Sequence, residues 1–328
     1  MSGRIAAPTT AAVTDAARRL QAGGLVAFPT ETVYGLGADA GNRDAVHRIF
    51  KAKGRPSDHP VIVHLQHLAQ VERWAREFPD GARRLAAAFW PGPLTLILPR
   101  AGHVDDVITG GQDSVGLRMP AHPVAKALLA AFATLGGQGI AAPSANRFGH
   151  VSPTTAQHVA DDLGAAVAMI LDGGPCAVGI ESTIVAFTGS EPLLLRPGGI
   201  GIEALAGVLG RAPRAPGADA PRASGTLASH YAPHAPARLV ARGDLLSEVA
   251  RSSSRGERVA VLARTLPRPG EYVGAWVVSS AAAQAYAHDL YANLRALDVP
   301  GVTAILIEAV PDDSDWFAVR DRLARATN

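Results

Sequence analysis

The sequence predicts an α/β protein with one large sheet, followed by a smaller α/β domain with a parallel, Rossmann-like sheet. Three observations predict this fold class. Short apolar runs alternate with segments of helical periodicity, which is typical of layered sheets and helices. The 328 residues, 48% of them hydrophobic, are enough for two domains with buried cores. A linker rich in Pro, Ala and Gly, residues 211–237, separates residues 1–210 from residues 238–328.

The first region begins with a helix that Thr10 is predicted to cap, followed by a strand at 25–28 and a helix at 44–51. Seven further apolar runs predict strands, at residues 61–65, 94–98, 115–118, 139–142, 168–171, 183–187 and 193–195. Strands at this density imply one large sheet.

The second region alternates strands and helices more regularly, which predicts a small parallel sheet. Its strands are expected at 238–240, 259–262, 275–278 and 304–307. One helix after Ser280 carries four apolar residues on one face, Tyr286, Leu290, Leu294 and Leu297. Asp315 is predicted to cap the last helix. The glycines of this region form no phosphate-binding fingerprint, so its sequence predicts no nucleotide site.

Composition excludes several classes of protein. The formal net charge of +2 gives no overall reason to expect nucleic acid or an anionic membrane as partner. Cys176, the one cysteine, cannot form an internal disulfide or a thiolate cage for a metal, which favours a reducing cytoplasm. The N-terminal residues lack the apolar core of a signal peptide, and the apolar stretch at 127–142 is interrupted by glycines. We therefore expect a cytoplasmic chain without a membrane span.

The densest polar cluster lies at the predicted end of the second helix, where Lys51, Lys53 and Arg55 precede His59 and His64. Two flexible ammonium groups and a guanidinium suit a polyphosphate. The alternative is a solvated helix end whose cations complement the helix dipole. If the cluster binds phosphates, Arg55→Ala should lower turnover or nucleotide affinity at least roughly tenfold and barely change stability, because a solvated helix end contributes little to the fold. Both interpretations stay open from this cluster alone.

Further polar residues recur at the ends of predicted strands. They comprise the run 29–37 with Thr32, the run 142–146 with Ala142 and Ser144, then Ser152, the run 179–183 with Ser182, and the two arginines Arg118 and Arg196. Each could be an ordinary turn. Together, the hydroxyls, glycines and arginines match what adenylate and phosphate groups require, which are hydroxyl donors, close backbone approach and positive charge.

Other catalytic sites are poorly supported. Ser144 has no histidine near it in a nucleophile-elbow pattern, which argues against a hydrolase triad. The histidines of residues 47–67 are not spaced to place two on one helical face with a carboxylate, so no metal site is predicted. Cys176 has no basic neighbour in sequence and is expected to be structural.

Residues 23–199 resemble the YrdC-like domain of threonylcarbamoyl-adenylate synthases. Six motifs occur in the family's order, and they span residues 28–37, 53–56, 118–120, 143–146, 181–185 and 196–198. The segment 230–234, His-Tyr-Ala-Pro-His, and the region after it resemble the longer, two-domain branch of that family. The resemblance implies a YrdC-like twisted mixed sheet with helices, followed by the Rossmann-like domain.

The resemblance also implies an activity. L-threonine, bicarbonate and ATP would give threonylcarbamoyl-adenylate and pyrophosphate, with Mg²⁺ carried by ATP and no dedicated metal site. The product would pass to the transferase machinery that makes threonylcarbamoyladenosine in tRNA. By resemblance, ATP would contact Arg55, His59, Ser114, Ser144, Ser152, Arg196 and Tyr231. Threonine would contact Thr32, His64, Arg118, the Ala142 backbone and Ser182. Lys53 and Arg55 would neutralise the departing pyrophosphate.

Two segments depart from the family pattern. His59 stands where the family usually has asparagine, and Ala223-Ser224-Gly225-Thr226 stands where it usually has Ser-Pro-Gly-Met. The linker is predicted to act as a lid, because a mixed anhydride hydrolyses when water reaches it. Tyr231 is the linker's one aromatic residue. Its alternative role is that of an exposed tyrosine in a disordered tether. If the linker is a lid, a chain cut before Arg211 should leave a folded first domain with a complete core but impaired synthesis or retention of the intermediate. Tyr231→Ala should reproduce part of that defect and leave Tm nearly unchanged.

Two other functions are compatible with such a domain. An RNA-binding module is disfavoured by the near-zero net charge and by the lack of basic residues interleaved with aromatic ones. A carbamoyl transferase of the hydrogenase-maturation type would resemble chains with cysteine-rich zinc segments, which one cysteine cannot form. Direct tRNA binding and a purely structural C-terminal domain both stay open.

Overall fold

The computed structural model describes residues 4–328, which divide into two compact units. The first unit contains the chain up to Phe148 and Pro153–Thr226. The second unit contains Gly149–Ser152 and Leu227–Asn328. The residues of the predicted linker therefore belong partly to one unit and partly to the other.

The first unit is built on a ten-stranded mixed sheet, which confirms the predicted large sheet and the mixed sheet that the resemblance implies. Its strands are β1 (Arg4–Ala6), β2 (Val26–Phe28), β3 (Gly35–Asp39), β4 (Ile62–His64), β5 (Leu94–Pro99), β6 (Ser114–Arg118), β7 (Ile140–Ala141), β8 (Met169–Leu171), β9 (Thr183–Ala186) and β10 (Leu193–Arg196). Their order is β1-β8-β2-β3-β7-β4-β6-β5-β9-β10. Parallel pairs such as β4 with β6 alternate with antiparallel pairs such as β5 with β6.

Helices pack on this sheet through buried aliphatic faces. They are α1 (Thr10–Gln21), α2 (Arg43–Lys53), α3 (Val71–Trp74), α4 (Asp80–Phe89), α5 (Asp106–Thr109), α6 (Pro123–Thr134), α7 (Ala156–Leu163) and α8 (Ile202–Leu209). The predicted cap of α1 is wrong by one residue. Thr9 accepts the amide of Ala12 at 3.2 Å, whereas Thr10 is already helical. Gly54, with φ of 64°, ends α2 in the left-handed conformation.

The predicted strands of the first unit are all present with ends shifted by one or two residues, but β1 and β3 were not predicted. The run 29–37 is interpreted from the sequence as a loop after a strand, but its last residues begin the strand Gly35–Asp39, although Gly35 and Gly37 have low strand propensity. A Cβ at Gly37 would lie 2.8 Å from the Phe28 ring and 2.9 Å from Ile140. Close packing therefore requires glycine within this strand.

The second unit has the predicted parallel sheet, with strands β11 (Ala237–Val240), β12 (Val259–Ala263), β13 (Trp276–Val278) and β14 (Ala304–Glu308) in the order β11-β14-β12-β13. Its helices are α9 (Leu245–Ser254), α10 (Ala283–Leu297) and α11 (Phe317–Ala326). The predicted apolar face of α10 is buried. Asp315 does not cap α11 but lies within a 3₁₀ turn, Ser314–Trp316, that precedes it.

The chain between α8 and β11 contains no regular helix or strand in the structure. Arg214 forms one isolated bridge with Leu193 at the end of the first unit's sheet. Ala223 packs in a small apolar cluster with Ile97 and Ile184. The described part of the chain contains no helix that is both long enough and apolar enough to cross a membrane.

Candidate functional site

A row of side chains crosses five neighbouring strands of the first unit, from β4 to β10. His64 at the end of β4 pairs with Arg118 at the end of β6. Thr95 on β5 pairs with Ile184 on β9, which in turn pairs with Arg196 on β10. The four polar members of this row are buried. Buried polar groups in this number need partners or a ligand.

Arg118 is held by the loop between β2 and β3. Its guanidinium donates to Glu31 Oε1 at 2.7 Å, to Thr32 Oγ1 at 2.9 Å and to the Gly92 carbonyl at 3.3 Å. Thr30 Oγ1 lies 2.8 Å from Thr32 Oγ1 and fixes the loop from within. These bonds use three of the five N–H groups of the guanidinium, so two donors remain.

Glu31 is the carboxylate of this arrangement. Burial raises its pKa, but the charge and hydrogen bonds of Arg118 outweigh burial and hold the pKa of Glu31 below its ordinary value. Its second oxygen accepts the Ala121 amide at 3.0 Å. Glu31 is therefore ionised, and it orients Arg118 rather than serving as an acid.

His64 lies beside Arg118 and is neutral. Burial, with a further contribution from the Arg118 charge, lowers the pKa of His64 to about 3. The ring meets that of Phe28 edge to face, with centroids 6.2 Å apart. Its Nδ1 is buried and has no hydrogen-bond partner among residues 4–328. A neutral imidazole with one uncommitted nitrogen can donate to or accept from a ligand.

Ser182 connects the other end of the row. Its Oγ lies 2.7 Å from Thr95 Oγ1 and accepts from Arg196 Nη2 at 3.1 Å. Arg196 also donates to the Ser182 carbonyl at 3.0 Å and to the Ser224 carbonyl at 2.7 Å. Gly198 follows closely, and a Cβ there would lie 2.4 Å from the Thr183 amide nitrogen. The turn after β10 therefore requires glycine to keep Arg196 in place.

Lys53 is not part of a solvated helix end. Only 3% of the residue is exposed, and its Nζ donates to the carbonyls of Ser144 and Asn146 at 2.5 Å each. Burial, reinforced by the charge of Arg55, places the pKa of Lys53 well below its ordinary value. The interpretation as an exposed, dipole-complementing cation is wrong for this residue, because the helix end packs on the 144–146 loop.

Arg55 is also buried. It donates to the Pro60 carbonyl at 2.9 Å, and its guanidinium lies 5.6 Å from the centroid of the Phe148 ring. His59 meets the same ring edge to face at 5.3 Å. Burial, with a contribution from Arg55, lowers the pKa of His59. The expectation that Arg55→Ala would barely affect stability is therefore wrong, since the substitution would remove buried contacts.

The remaining predicted residues lie in different places. Ser114 begins β6 and is buried, and Ala142 follows β7 with its amide bonded to the Ile62 carbonyl at 3.0 Å. Ser144 is half-buried and supplies the carbonyl that Lys53 binds. Ser152 and Tyr231 belong to the second unit.

Tyr231 is 1% exposed, so the alternative of an exposed tyrosine is wrong. Its ring stacks on that of Tyr291 with centroids 5.7 Å apart, and the Arg322 guanidinium lies 5.2 Å from it. Its φ of 63° is a left-handed conformation that is uncommon for a residue with a side chain. The segment around Tyr231 is therefore packed within the second unit rather than loosely tethered.

The prediction of individual site residues missed Glu31 and Thr95. Glu31 lies in a recognised motif, but its role depends on Arg118, which is distant in sequence. Thr95 is the one polar residue of the strand Leu94–Pro99, and an isolated hydroxyl in an apolar strand is a signal that could have identified it. Among residues 4–328, no three His, Cys, Asp or Glu side chains lie close enough to hold a metal ion together.

Two family models match the chain. One, described as "Telomere recombination", covers residues 18–198, and the other, described as "Threonylcarbamoyl-AMP synthase, C-terminal domain", covers residues 200–328. The threonylcarbamoyl-AMP synthase of Pyrococcus abyssi is 42% identical, over 95% of this chain and 93% of its own length. That of Bacillus subtilis is 40% identical, over 96% of this chain and 92% of its own length.

Solved structures agree with these sequence matches. The crystal structure of P. abyssi Sua5 complexed with L-threonine matches with a TM-score of 0.89 and 39% identity, over 99% of this chain and 97% of that one. The crystal structure of Escherichia coli YciO matches 62% of this chain and 99% of its own, with a TM-score of 0.53 and 22% identity. The latter likeness concerns the fold alone.

Proposed function

The chain belongs to the threonylcarbamoyl-AMP synthase family and is an enzyme of that family, and we propose that it joins L-threonine, bicarbonate and ATP into threonylcarbamoyl-adenylate and pyrophosphate. The observation that carries this proposal is the buried polar row from His64 to Arg196, in a chain that matches the threonine complex of a relative along almost its whole length. This whole-chain match also favours the synthase over an RNA-binding module or a hydrogenase-maturation transferase.

Threonine is proposed to bind at the Arg118 end of this row. The two remaining N–H groups of Arg118 suit the amino acid carboxylate, because a planar guanidinium can donate to carboxylate oxygens. Thr32, Ser182 and the Ala142 backbone would orient the substrate, and the uncommitted Nδ1 of His64 offers one more polar contact. A small pocket that satisfies both the hydroxyl and the methyl group would select threonine.

ATP is proposed to bind through two groups of residues. Arg55, His59, Ser114, Ser144 and Arg196 lie in the first unit, and Ser152 and Tyr231 lie in the second. Lys53 uses two of its three donors to hold the 144–146 loop, which leaves one N–H for a phosphate oxygen. Lys53 and Arg55 would thus stabilise the negative charge of the leaving pyrophosphate, and Mg²⁺ would enter on the triphosphate.

The proposed chemistry has two steps. The threonine nitrogen attacks the carbon of CO₂ or bicarbonate, which gives a carbamate after loss of a proton, and of hydroxide when bicarbonate is the donor. A carbamate oxygen then attacks the α-phosphorus of ATP, and the bond to the β,γ-pyrophosphate breaks. The product is a mixed anhydride, which water would hydrolyse. We propose that it is consumed by the transferase machinery that modifies adenosine in tRNA.

A product assay tests this function. We expect protein supplied with Mg-ATP, bicarbonate and L-threonine to release pyrophosphate and form the acyl-adenylate, detected by mass spectrometry. With L-serine the rate should be lower by a factor of about ten or more, because one missing methyl group is worth roughly 1–3 kcal/mol. Equal use of serine and threonine would contradict the pocket assignment. Absence of pyrophosphate with every amino acid would contradict the activity.

A further inference from the structure

The second unit has unpartnered polar groups where the strand order of its sheet reverses. The chain passes outward from β12 to β13 and then returns to place β14 on the other side of β12. In open parallel sheets, ligands bind beyond the carboxyl ends of the strands at such a reversal. The two strand ends here are Ala263 and Glu308.

Two donors at this edge lack hydrogen-bond partners within residues 4–328. Tyr286 on α10 is fully buried and its hydroxyl is unpaired, and the buried Nε of Arg264, directly after β12, is unpaired as well. Both side chains contact Trp316. The Tyr286 and Trp316 ring centroids are 5.3 Å apart, and the Arg264 guanidinium lies 5.6 Å from the Trp316 ring. The two unpaired donors thus share one tryptophan as neighbour.

Glu308 limits which ligands can bind at this edge of the sheet. Its carboxylate accepts the backbone amides of Arg264 and Thr265 at 2.7 and 2.9 Å and the Thr265 hydroxyl at 2.5 Å. These are the amides that would face a phosphate in a dinucleotide-binding loop. The carboxylate of the chain already occupies that position, which agrees with the missing glycine fingerprint.

Arg264 remains available for a ligand. In the described chain its guanidinium forms no ion pair, because Glu308 is bonded to the Arg264 backbone rather than to its side chain. The residue is partly exposed, so solutes can reach its side chain from solvent. A guanidinium and a phenol together offer donors to an oxygen anion, and the neighbouring Glu308 carboxylate is already engaged by two backbone amides and the Thr265 hydroxyl.

We propose that the second unit binds a small oxyanion, a phosphate or a carboxylate group, between the Arg264 guanidinium and the Tyr286 hydroxyl at the carboxyl ends of β12 and β14. Binding there gives a partner to a buried hydroxyl that would otherwise destabilise the fold. This site belongs to the second unit, whereas the residues assigned to threonine belong to the first, and it lacks the loop amides needed for a dinucleotide.

Hydrogen exchange measured by mass spectrometry on the full chain tests this proposal at peptide resolution. Inorganic phosphate and acetate are added separately, each against chloride at equal ionic strength. A ligand at about ten times its Kd should slow local opening about tenfold. We expect one or both anions to protect the peptides that cover residues 263–268 and 308–318. Which anion protects identifies the preferred group.

Three variants make the result specific. Arg264→Gln and Tyr286→Phe should abolish this protection, while Arg242→Gln, which changes an exposed arginine of the same unit, should retain it. The unliganded exchange pattern of each variant shows whether it is folded. Protection of these peptides by neither anion, or equal protection in Arg264→Gln, would overturn the proposal and leave a bound water as the partner of Tyr286. The readout does not depend on synthase activity, so the two proposals can fail separately.

Discussion

Lys53 holds the 144–146 loop in the structure, and its role at the phosphates of ATP is a proposal. Only three of the 31 basic residues are lysines, Lys51, Lys53 and Lys126, so arginine is the usual cation of this chain. A slender ammonium reaches two carbonyls in a buried space, where a planar guanidinium would require more room. The choice of lysine at position 53 follows from this geometry.

We expect Lys53→Met to lower both stability and activity. It removes the two hydrogen bonds that Nζ donates to the Ser144 and Asn146 carbonyls, and a hydrogen bond to a charged group is worth roughly 1.5–3 kcal/mol. The loop that carries Ser144 should loosen, and pyrophosphate release should fall about tenfold or more. Lys51→Met is the matched control, because Lys51 is exposed on the same helix. A Tm for Lys53→Met equal to that of the control would show that the buried contacts contribute nothing.

His64 makes stability depend on pH. The pKa of the folded state, about 3, lies below the ordinary value of 6.5, so the unfolded chain binds a proton that the folded chain excludes. Stability should therefore decline as pH falls below 6.5, by up to about 1.4 kcal/mol per pH unit for this group. Glu31, whose pKa is held below its ordinary 4.5, adds a decline only under more acidic conditions.

Urea unfolding between pH 7 and pH 5 measures this dependence. Burial also lowers the pKa values of His59 and His122, so the wild-type slope contains several histidines. The difference between wild type and His64→Gln isolates the contribution of His64. Parallel stability curves for the two proteins would mean that His64 becomes protonated without cost in the folded state.

At the scale of elements, periodicity predicted most of the sheet and hydrophobic content predicted its burial. The strand β3 is not predicted because Gly35 and Gly37 have low strand propensity. The packing of Phe28 and Ile140, which leaves no space for a Cβ at position 37, becomes visible only in the structure. The six motifs include Arg118, Ser182 and Arg196, which lie in or beside the buried polar row. They could not show the burial of Lys53 or the pairing of Arg118 with Glu31, since both depend on contacts between distant segments.

The first half of the linker is an element of the first unit. The backbone amide of Arg222 donates to the Gln112 side-chain carbonyl, and the Gln112 side-chain amide donates to the Arg222 backbone carbonyl. The Arg222 guanidinium also donates to the Gly110 carbonyl at 2.8 Å. Ala223 packs against Ile97 and Ile184. The sequence suggested that the domain core is complete at residue 210, but these contacts extend the folded element to Thr226.

We therefore expect a chain that ends at Thr226 to be more stable than one that ends at Gly210. Three or four additional hydrogen bonds at about 1 kcal/mol each should raise Tm by several degrees. Within the longer chain, Arg222→Ala should remove part of this gain, whereas Arg211→Ala, an exposed arginine paired with Glu191, should change little. Identical Tm values for the two truncations would argue that residues 211–226 contribute no stability.

Tyr231 belongs to the second unit as a packed element. Its burial contradicts the expectation that Tyr231→Ala would leave Tm nearly unchanged, because the substitution removes a ring stacked on Tyr291. We expect a loss of roughly 3–5 kcal/mol, as for other buried aromatic residues. Tyr231→Phe, which keeps the ring, separates packing from the hydroxyl. If Tyr231→Ala unfolds at the wild-type urea concentration, the ring is not part of the core.

For the whole molecule, the linker's role as a lid stays a proposal that truncation can test. A chain that ends at Thr226 should release pyrophosphate more slowly, because it keeps every residue assigned to threonine but loses Tyr231, which is assigned to ATP. It should retain less intact acyl-adenylate per pyrophosphate than the full chain, because water would reach the anhydride. Quenched samples analysed by mass spectrometry give this ratio. An equal ratio in both chains would contradict the lid.

The mixed sheet also has a kinetic consequence. Its pairs join segments that are distant along the chain, β1 with β8 and β5 with β9, and the polar row is complete only when β10 has joined. The chain must lose the conformational entropy of closing these long loops before the strand contacts can stabilise it, which slows folding. During synthesis, the proposed threonine site cannot be complete before Ser182 has left the ribosome. Substrate binding can therefore stabilise only the finished sheet, and substrate cannot act as a template for earlier folding steps.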